Sequence, residues 1–258
     1  MSRSASKLII LHDDADVIVV EKPAGLAVIP GRGEKEDLLH RLADQIGLPA
    51  SGTADPRLRI VHRLDKETSG VLLLARHVGA QRILSEQFQN NRIEKEYLAL
   101  VVGRPDKNDG EIDAPLAPHP NSPRHMAVSK HGRPARTLWR VEERFRNYTL
   151  LRVFPRTGKT HQIRVHLAHI GLPLAIDALY NPPRHRPHES AVTGIFLSHF
   201  KRDYRPTRGE QERPLIDRLT LHAERLTFMH PNQMQMKVEC PLPKDFRAVL
   251  TQLRRHGR

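Results

Sequence analysis

The sequence holds a single cysteine, Cys240, among 258 residues. That excludes an intramolecular disulfide framework and thiolate metal clusters, and it fits a chain kept in a reducing compartment. No run of about 18 apolar residues is present, the length that a bilayer-spanning helix needs. The opening MSRSASKLII also lacks the apolar stretch of about 7–15 residues that marks a secretory signal. The expectation is a soluble, cytoplasmic protein with no membrane partner. Internal repeats and low-complexity tracts are missing as well.

Acidic residues are the scarcer charge, 29 Asp and Glu against 42 Lys and Arg, for a net +13 before any of the sixteen histidines is protonated. Such a chain suits a polyanion. Nucleic acid leads, because each phosphate that Lys or Arg neutralises releases condensed counterions. An anionic membrane surface is the rival, and it lacks the long basic amphipathic helix that it would need. Apolar content of 38% and charged content of 28% are near the globular norm. At this length folding buries roughly 70–75% of the unfolded surface, so a sizeable core is within reach.

Three familiar motifs are approached and missed. TGKT at 157–160 would need a glycine five residues before its Gly-Lys pair to cradle phosphates, and Val153 stands there. DKETSG is close to the aspartyl-phosphate stretch Asp-Lys-Thr-Gly-Thr, but Glu67 interrupts it. His161, His166 and His169 form no HExxH pair, and on one helix only His166 and His169 share a side closely. They read as helix histidines that face RNA or pack beside a sheet, and no metal site is predicted.

Residues 7–21 read as two short strands around the turn Asp13-Asp14-Ala15-Asp16, ended by Lys22-Pro23-Ala24-Gly25. Leu38, Leu42 and Ile46 recur every fourth place before Gly47, as in a short amphipathic helix. VLLLA at 71–75 reads as a buried strand. A helix with the stripe Ala80, Leu84, Phe88 follows and ends at Asn90-Asn91. IEKEYLALVVG is a strand carrying Tyr97, and RTLWRVEERF with YTLLRVFPR is a hairpin joined through Arg146-Asn147. In TGKTHQIRVHLAHIG the period changes: Thr160 is the predicted N-cap, Ile163, Leu167 and Ile170 line one face, and Gly171 stops the helix. LTLHAERLTF and MQMKVEC are strands, and Phe246, Val249, Leu250 and Leu253 stripe a last helix. Strands and helices intersperse without the regular alternation of a doubly wound sheet. The predicted fold is α+β, one domain over 1–258 with a mixed, mainly antiparallel central sheet and flanking helices. Residues 181–214, rich in proline and cations, read as a long basic insertion.

In VHRLDKETSG, at 61–70, one carboxylate, Asp65, sits among the cations Arg63 and Lys66. The pattern fits two readings. Asp65 caps a turn and pairs with Arg63, as many turn aspartates do. Alternatively it is a nucleophile, which must stay ionised and aimed, and a guanidinium beside it serves both needs. A second arginine from a distant segment would favour the second reading.

HRLDKETSG, the opening VVEKPAGLAVIPGR, the strand EKEYLALV and the segment RTGKTHQIRVHLAHIGLPLAIDALY together resemble the RluA-type pseudouridine synthases, in that order and over roughly residues 8–250. The resemblance implies an isomerase that detaches uracil from its ribose, turns it and rejoins it through carbon 5, with no metal or organic cofactor. Asp65 aligns with the family's catalytic aspartate, which attacks either the ribose anomeric carbon or the uracil ring. Tyr97 is implied to lie against the target base and help move a proton. Arg164 aligns with the basic residue that pairs with that aspartate. Arg63 aligns with a residue that fills the gap left by the flipped uridine; flipping costs a few kcal/mol that protein contacts must offset. His62, Lys66, Lys159, His161 and Arg133 complete the expected RNA contacts, the last within the basic segment 119–133. The small RNA-binding domain that many relatives carry ahead of the catalytic one is not seen, and a short glycine-rich continuation after Asp177 to Tyr180 is replaced by the basic insertion. The expected partner is ribosomal or transfer RNA stem-loops, bound by a monomer. Two rivals stand beside this reading: a non-catalytic RNA-binding or ribosome-assembly factor on the same fold, and a hydrolase that uses Asp65 on a small anionic substrate.

Overall fold

In the computed structural model, residues 7–31, 36–181, 194–201, 204 and 211–257 are described. Much of the predicted insertion at 181–214 lies outside them. The chain runs β1 (Ile9–Asp13), β2 (Val17–Lys22), α1 (Leu38–Ile46), β3 (Arg59–Ile60), β4 (Ser69–Ala75), α2 (Val78–Gln89), β5 (Glu94–Val102) and β6 (Asp109–Asp113). It continues β7 (Leu116–His119), β8 (Ser122–Val128), β9 (Arg136–Arg144), β10 (Tyr148–Pro155), α3 (Gln162–His169), β11 (Leu221–Met229), β12 (Gln235–Glu239) and α4 (Lys244–His256). The fold class is α+β, and the chain forms two compact units: Met1–Lys95 with Ala223–Pro241, and Glu96–His222 with Leu242–Arg258.

In the first unit the apolar runs become strands because both faces are covered. Every residue of β4 is buried, and so are Val17 to Val20 of β2. β2 pairs antiparallel with β1 on one side and with β4 on the other, while β3 also joins β4 and β12 joins β11. The turn between β1 and β2 is set by Asp14, whose Oδ1 accepts the N–H groups of Asp16 and Val17, both at 2.9 Å. Asp37 caps α1 by accepting the His40 N–H, and Gly47 ends it at φ 69°, a left-handed conformation that glycine adopts without strain. Val17, Val19, Leu73, Ala80, Leu84, Leu226 and Phe228 meet in one core, where α2 closes over the strands and β11 lies beside β4 in the sheet. At Gly70, φ is 126° and a Cβ would lie 2.1 Å from the Ala223 carbonyl oxygen. Only glycine allows β11 to approach that closely.

The second unit carries the hairpin β9–β10, with β5 against β10 and β6 against β9, all antiparallel. β5 is buried on both faces. Leu98 and Leu100 pack with Phe246, Val249 and Leu253 of α4, while Ala99 and Val101 pack with Ile163 and Leu167 of α3. α3 starts one residue later than predicted. His161, at φ 53°, is its N-cap in place of Thr160, and Ile170 is 38% exposed because the helix has ended at His169. β6 and the β7–β8 hairpin were not foreseen. Their sequences lack alternation, and β7–β8 is held by packing of Met126 and Val128 with Leu116, Ala135 and Val165. No helix among the described residues is long and apolar enough to cross a membrane.

Candidate active site

Asp65 lies in the loop between β3 and β4, half-buried, where its carbonyl accepts the Thr68 N–H at 3.1 Å and closes a turn. Leu64 and Thr68 are buried on either side, which anchors the turn, while Arg63, Lys66 and Glu67 are exposed. A second anchor is Lys22, whose side chain is fully buried. Its Nζ donates to the carbonyls of Pro23 at 2.8 Å, Leu26 at 2.7 Å and Lys66 at 2.8 Å. The Gly25 N–H donates to the same Lys66 carbonyl at 2.9 Å. A buried ammonium is tolerable only when its donors are met, and here meeting them ties the EKPAG loop to the residue next to Asp65.

His62 is a third anchor. Its Nε2 accepts the Leu73 N–H at 3.0 Å and its ring stacks on Phe88 with centroids 4.5 Å apart. Burial, helped by the charge of Lys95, pushes its pKa down to about 3, so the ring is neutral at physiological pH. Of the expected contacts on this loop, the structure exposes Arg63 and Lys66 and gives His62 a framing role.

In the second unit Tyr97 stands on β5 opposite Val153 of β10, half-buried against the core that holds Ile163 and Leu167. It therefore shares a face of the sheet with α3, the helix that bears Arg164. Arg164 is 7% exposed, and its Nε and Nη2 donate to the two carboxylate oxygens of Asp177, each at 2.8 Å. Asp177 Oδ1 also accepts the N–H groups of Leu179 and Tyr180. The guanidinium lies 5.1 Å from the Tyr180 ring centroid. The Tyr180 hydroxyl accepts the Met126 N–H at 2.8 Å and is hydrogen-bonded to His161 Nδ1 at 2.9 Å. Arg164, Asp177, Tyr180 and His161 thus form one network that fixes a planar cation by one edge.

Lys159 and His161 sit half-buried at the start of α3, and Arg133 is exposed in the connection between β8 and β9. The Lys159 N–H donates to Gln162 Oε1, and Gln162 Nε2 donates to the Arg136 carbonyl and the Thr137 hydroxyl oxygen. His166 is fully buried: Nε2 donates to the Ala114 carbonyl and Nδ1 accepts from the Thr137 hydroxyl, both at 2.9 Å. Burial lowers its pKa. Both ring nitrogens are engaged, as a histidine packed beside a sheet requires.

A carboxylate on a rigid turn between exposed cations suits nucleophilic attack on a substrate brought in by its phosphates. Sequence reasoning overlooked the structural parts of Lys22, Asp177 and Tyr180. The signals were present in EKPAG and in the DALY that follows α3, but nothing local shows a lysine to be buried or an aspartate to face an arginine thirteen residues away.

Residues 16–169 match the family described as RNA pseudouridylate synthase. Ribosomal large subunit pseudouridine synthase D of Nitrosomonas europaea is 40% identical over 251 residues, 97% of this chain and 66% of that protein. The protein of the same name from Haemophilus ducreyi is 38% identical over 252 residues, 95% of this chain and 70% of its own. This chain thus spans 66–70% of the length of these two relatives. Among solved structures, human RNA pseudouridylate synthase domain containing 4 superimposes with a TM-score of 0.70 at 28% identity, covering 95% of this chain and 93% of that one. The chain belongs to the RNA pseudouridylate synthase family and is an isomerase that converts uridine to pseudouridine in RNA.

Proposed function

We propose that the RNA is ribosomal, with stem-loops of the large-subunit RNA as the substrate, and that Asp65 is the nucleophile. The observation that carries the substrate is the identity of 38–40% to relatives named for the large ribosomal subunit. For Asp65 the support is chemical: a carboxylate on a turn anchored by Leu64, Thr68 and the buried Lys22, beside exposed cations. Tyr97 moves a proton at the base, and Arg164, fixed by Asp177 and Tyr180, is the oriented cation of the reaction. Arg63 and Lys66, with Lys159, His161 and Arg133, meet RNA, and His62 supports the loop beneath them. The reaction uses these side chains without a metal or organic cofactor.

The reading also takes the whole chain as one catalytic domain, a monomer acting in the cytoplasm. The family match at 16–169 runs from the first compact unit into the second, which supports a single domain. Tritium release from transcripts labelled at uridine carbon 5 tests the substrate. Release from large-subunit ribosomal RNA, with little from transfer RNA, is the expected result; release from transfer RNA alone would overturn it.

A further inference from the structure

Three turns of the first unit bring two carboxylates and three imidazoles together. Asp14 and Asp16 come from the turn between β1 and β2, with His12 at the end of β1; His77 precedes α2; His230 follows β11. Asp14 spends Oδ1 on two backbone N–H groups, which leaves Oδ2 2.6 Å from His12 Nε2 and 3.2 Å from His230 Nε2. Asp16 Oδ1 accepts from His77 Nε2 at 2.8 Å, and its Oδ2 lies 3.9 Å from His230 Nε2. One ligand atom from each of Asp14, Asp16 and His230 lies within 4.8 Å of the others.

His230 is the unusual member. Its side chain is only 4% exposed, and its buried Nε2 makes no hydrogen bond among the described residues, although it is aimed between the two carboxylates. Buried polar nitrogens are normally satisfied, so this one calls for a ligand. We infer that Asp14, Asp16 and His230 bind a divalent transition-metal ion of the zinc class, with His12 and His77 hydrogen-bonded to its two carboxylates. Bonds of about 2.0–2.2 Å to one ion place neighbouring ligand atoms about 3–4 Å apart, and the separations of 3.2 and 3.9 Å match. The mixed imidazole and carboxylate set favours such an ion over magnesium or calcium, which take oxygen ligands.

When His230 Nε2 gives its lone pair to the ion, the ring proton sits on Nδ1, and the Asn232 N–H releases its 3.2 Å bond to that atom. The ion joins chain segments more than two hundred residues apart in sequence, so its work is to brace the first unit. The inference stands apart from the proposed reaction and does not depend on it.

The test is a titration of the tag-free, chelator-stripped full chain with Co2+ and with Zn2+, reading cobalt absorption, zinc stoichiometry by equilibrium dialysis, and Tm. One equivalent bound, visible cobalt bands and a raised Tm are expected. His230→Gln and Asp14→Asn should each weaken binding by about 10- to 100-fold, while His131→Ala leaves it unchanged. No bound zinc in the wild type, or affinity equal to wild type in folded His230→Gln and Asp16→Asn proteins, would overturn the site.

Discussion

The guanidinium of Arg164 meets Asp177 through two bonds of 2.8 Å in a nearly dry setting. Asp177→Asn removes the charge from two charge-assisted hydrogen bonds and should lower stability by about 1.5–3 kcal/mol in urea unfolding. A loss below about 0.5 kcal/mol would show that the Asp177 charge does not hold the guanidinium in place. His62 gives a second prediction at this scale. Its folded pKa is about 3 against an ordinary 6.5, so between those values the unfolded chain binds more protons. Stability then falls as pH drops from 6.5 toward 3. Asp14 acts lower down: its contribution is whole above its ordinary 3.8 and is lost as pH falls through about 2. Hence His62→Gln should lose less Tm than the wild type between pH 7 and pH 5. Equal losses would mean that His62 titrates normally in the fold.

At the scale of elements, β4 and β11 meet where Gly70 lies against Ala223. Gly70→Ala adds a clash and a strained φ, and should cost about 3 kcal/mol or more, lowering Tm by several degrees. A variant as stable as the wild type would place the strands differently. Elements whose signal is local were legible in the sequence: β2 and β4 from their apolar runs, α1 from its fourfold spacing and Gly47, and β9–β10 from the hairpin around Arg146-Asn147. The β7–β8 hairpin was not, since SPRHMAV shows no alternation and is held by Leu116, Ala135 and Val165 from elsewhere. That most of β11, from Ala223 on, joins the first ninety-five residues was equally hidden, because such pairing is a tertiary choice. In the site, Asp65 stood out through its motif, while Lys22 looked like any solvated lysine until its three carbonyl partners were seen.

For the molecule as a whole, a net charge of +13 makes RNA affinity strongly dependent on salt. The logarithm of the binding constant should fall linearly with the logarithm of salt concentration. Arg63→Gln combined with Lys66→Gln should reduce that slope by about 1–2. An unchanged slope would remove this loop from the phosphate contacts. The most direct measurement of the central claim is tritium release from large-subunit ribosomal RNA labelled at uridine carbon 5, by the wild type and by Asp65→Asn, with RNA binding followed in parallel. Release by the wild type and none by a folded, RNA-binding Asp65→Asn is the predicted result. Substantial release by Asp65→Asn would contradict the assignment of Asp65 as nucleophile.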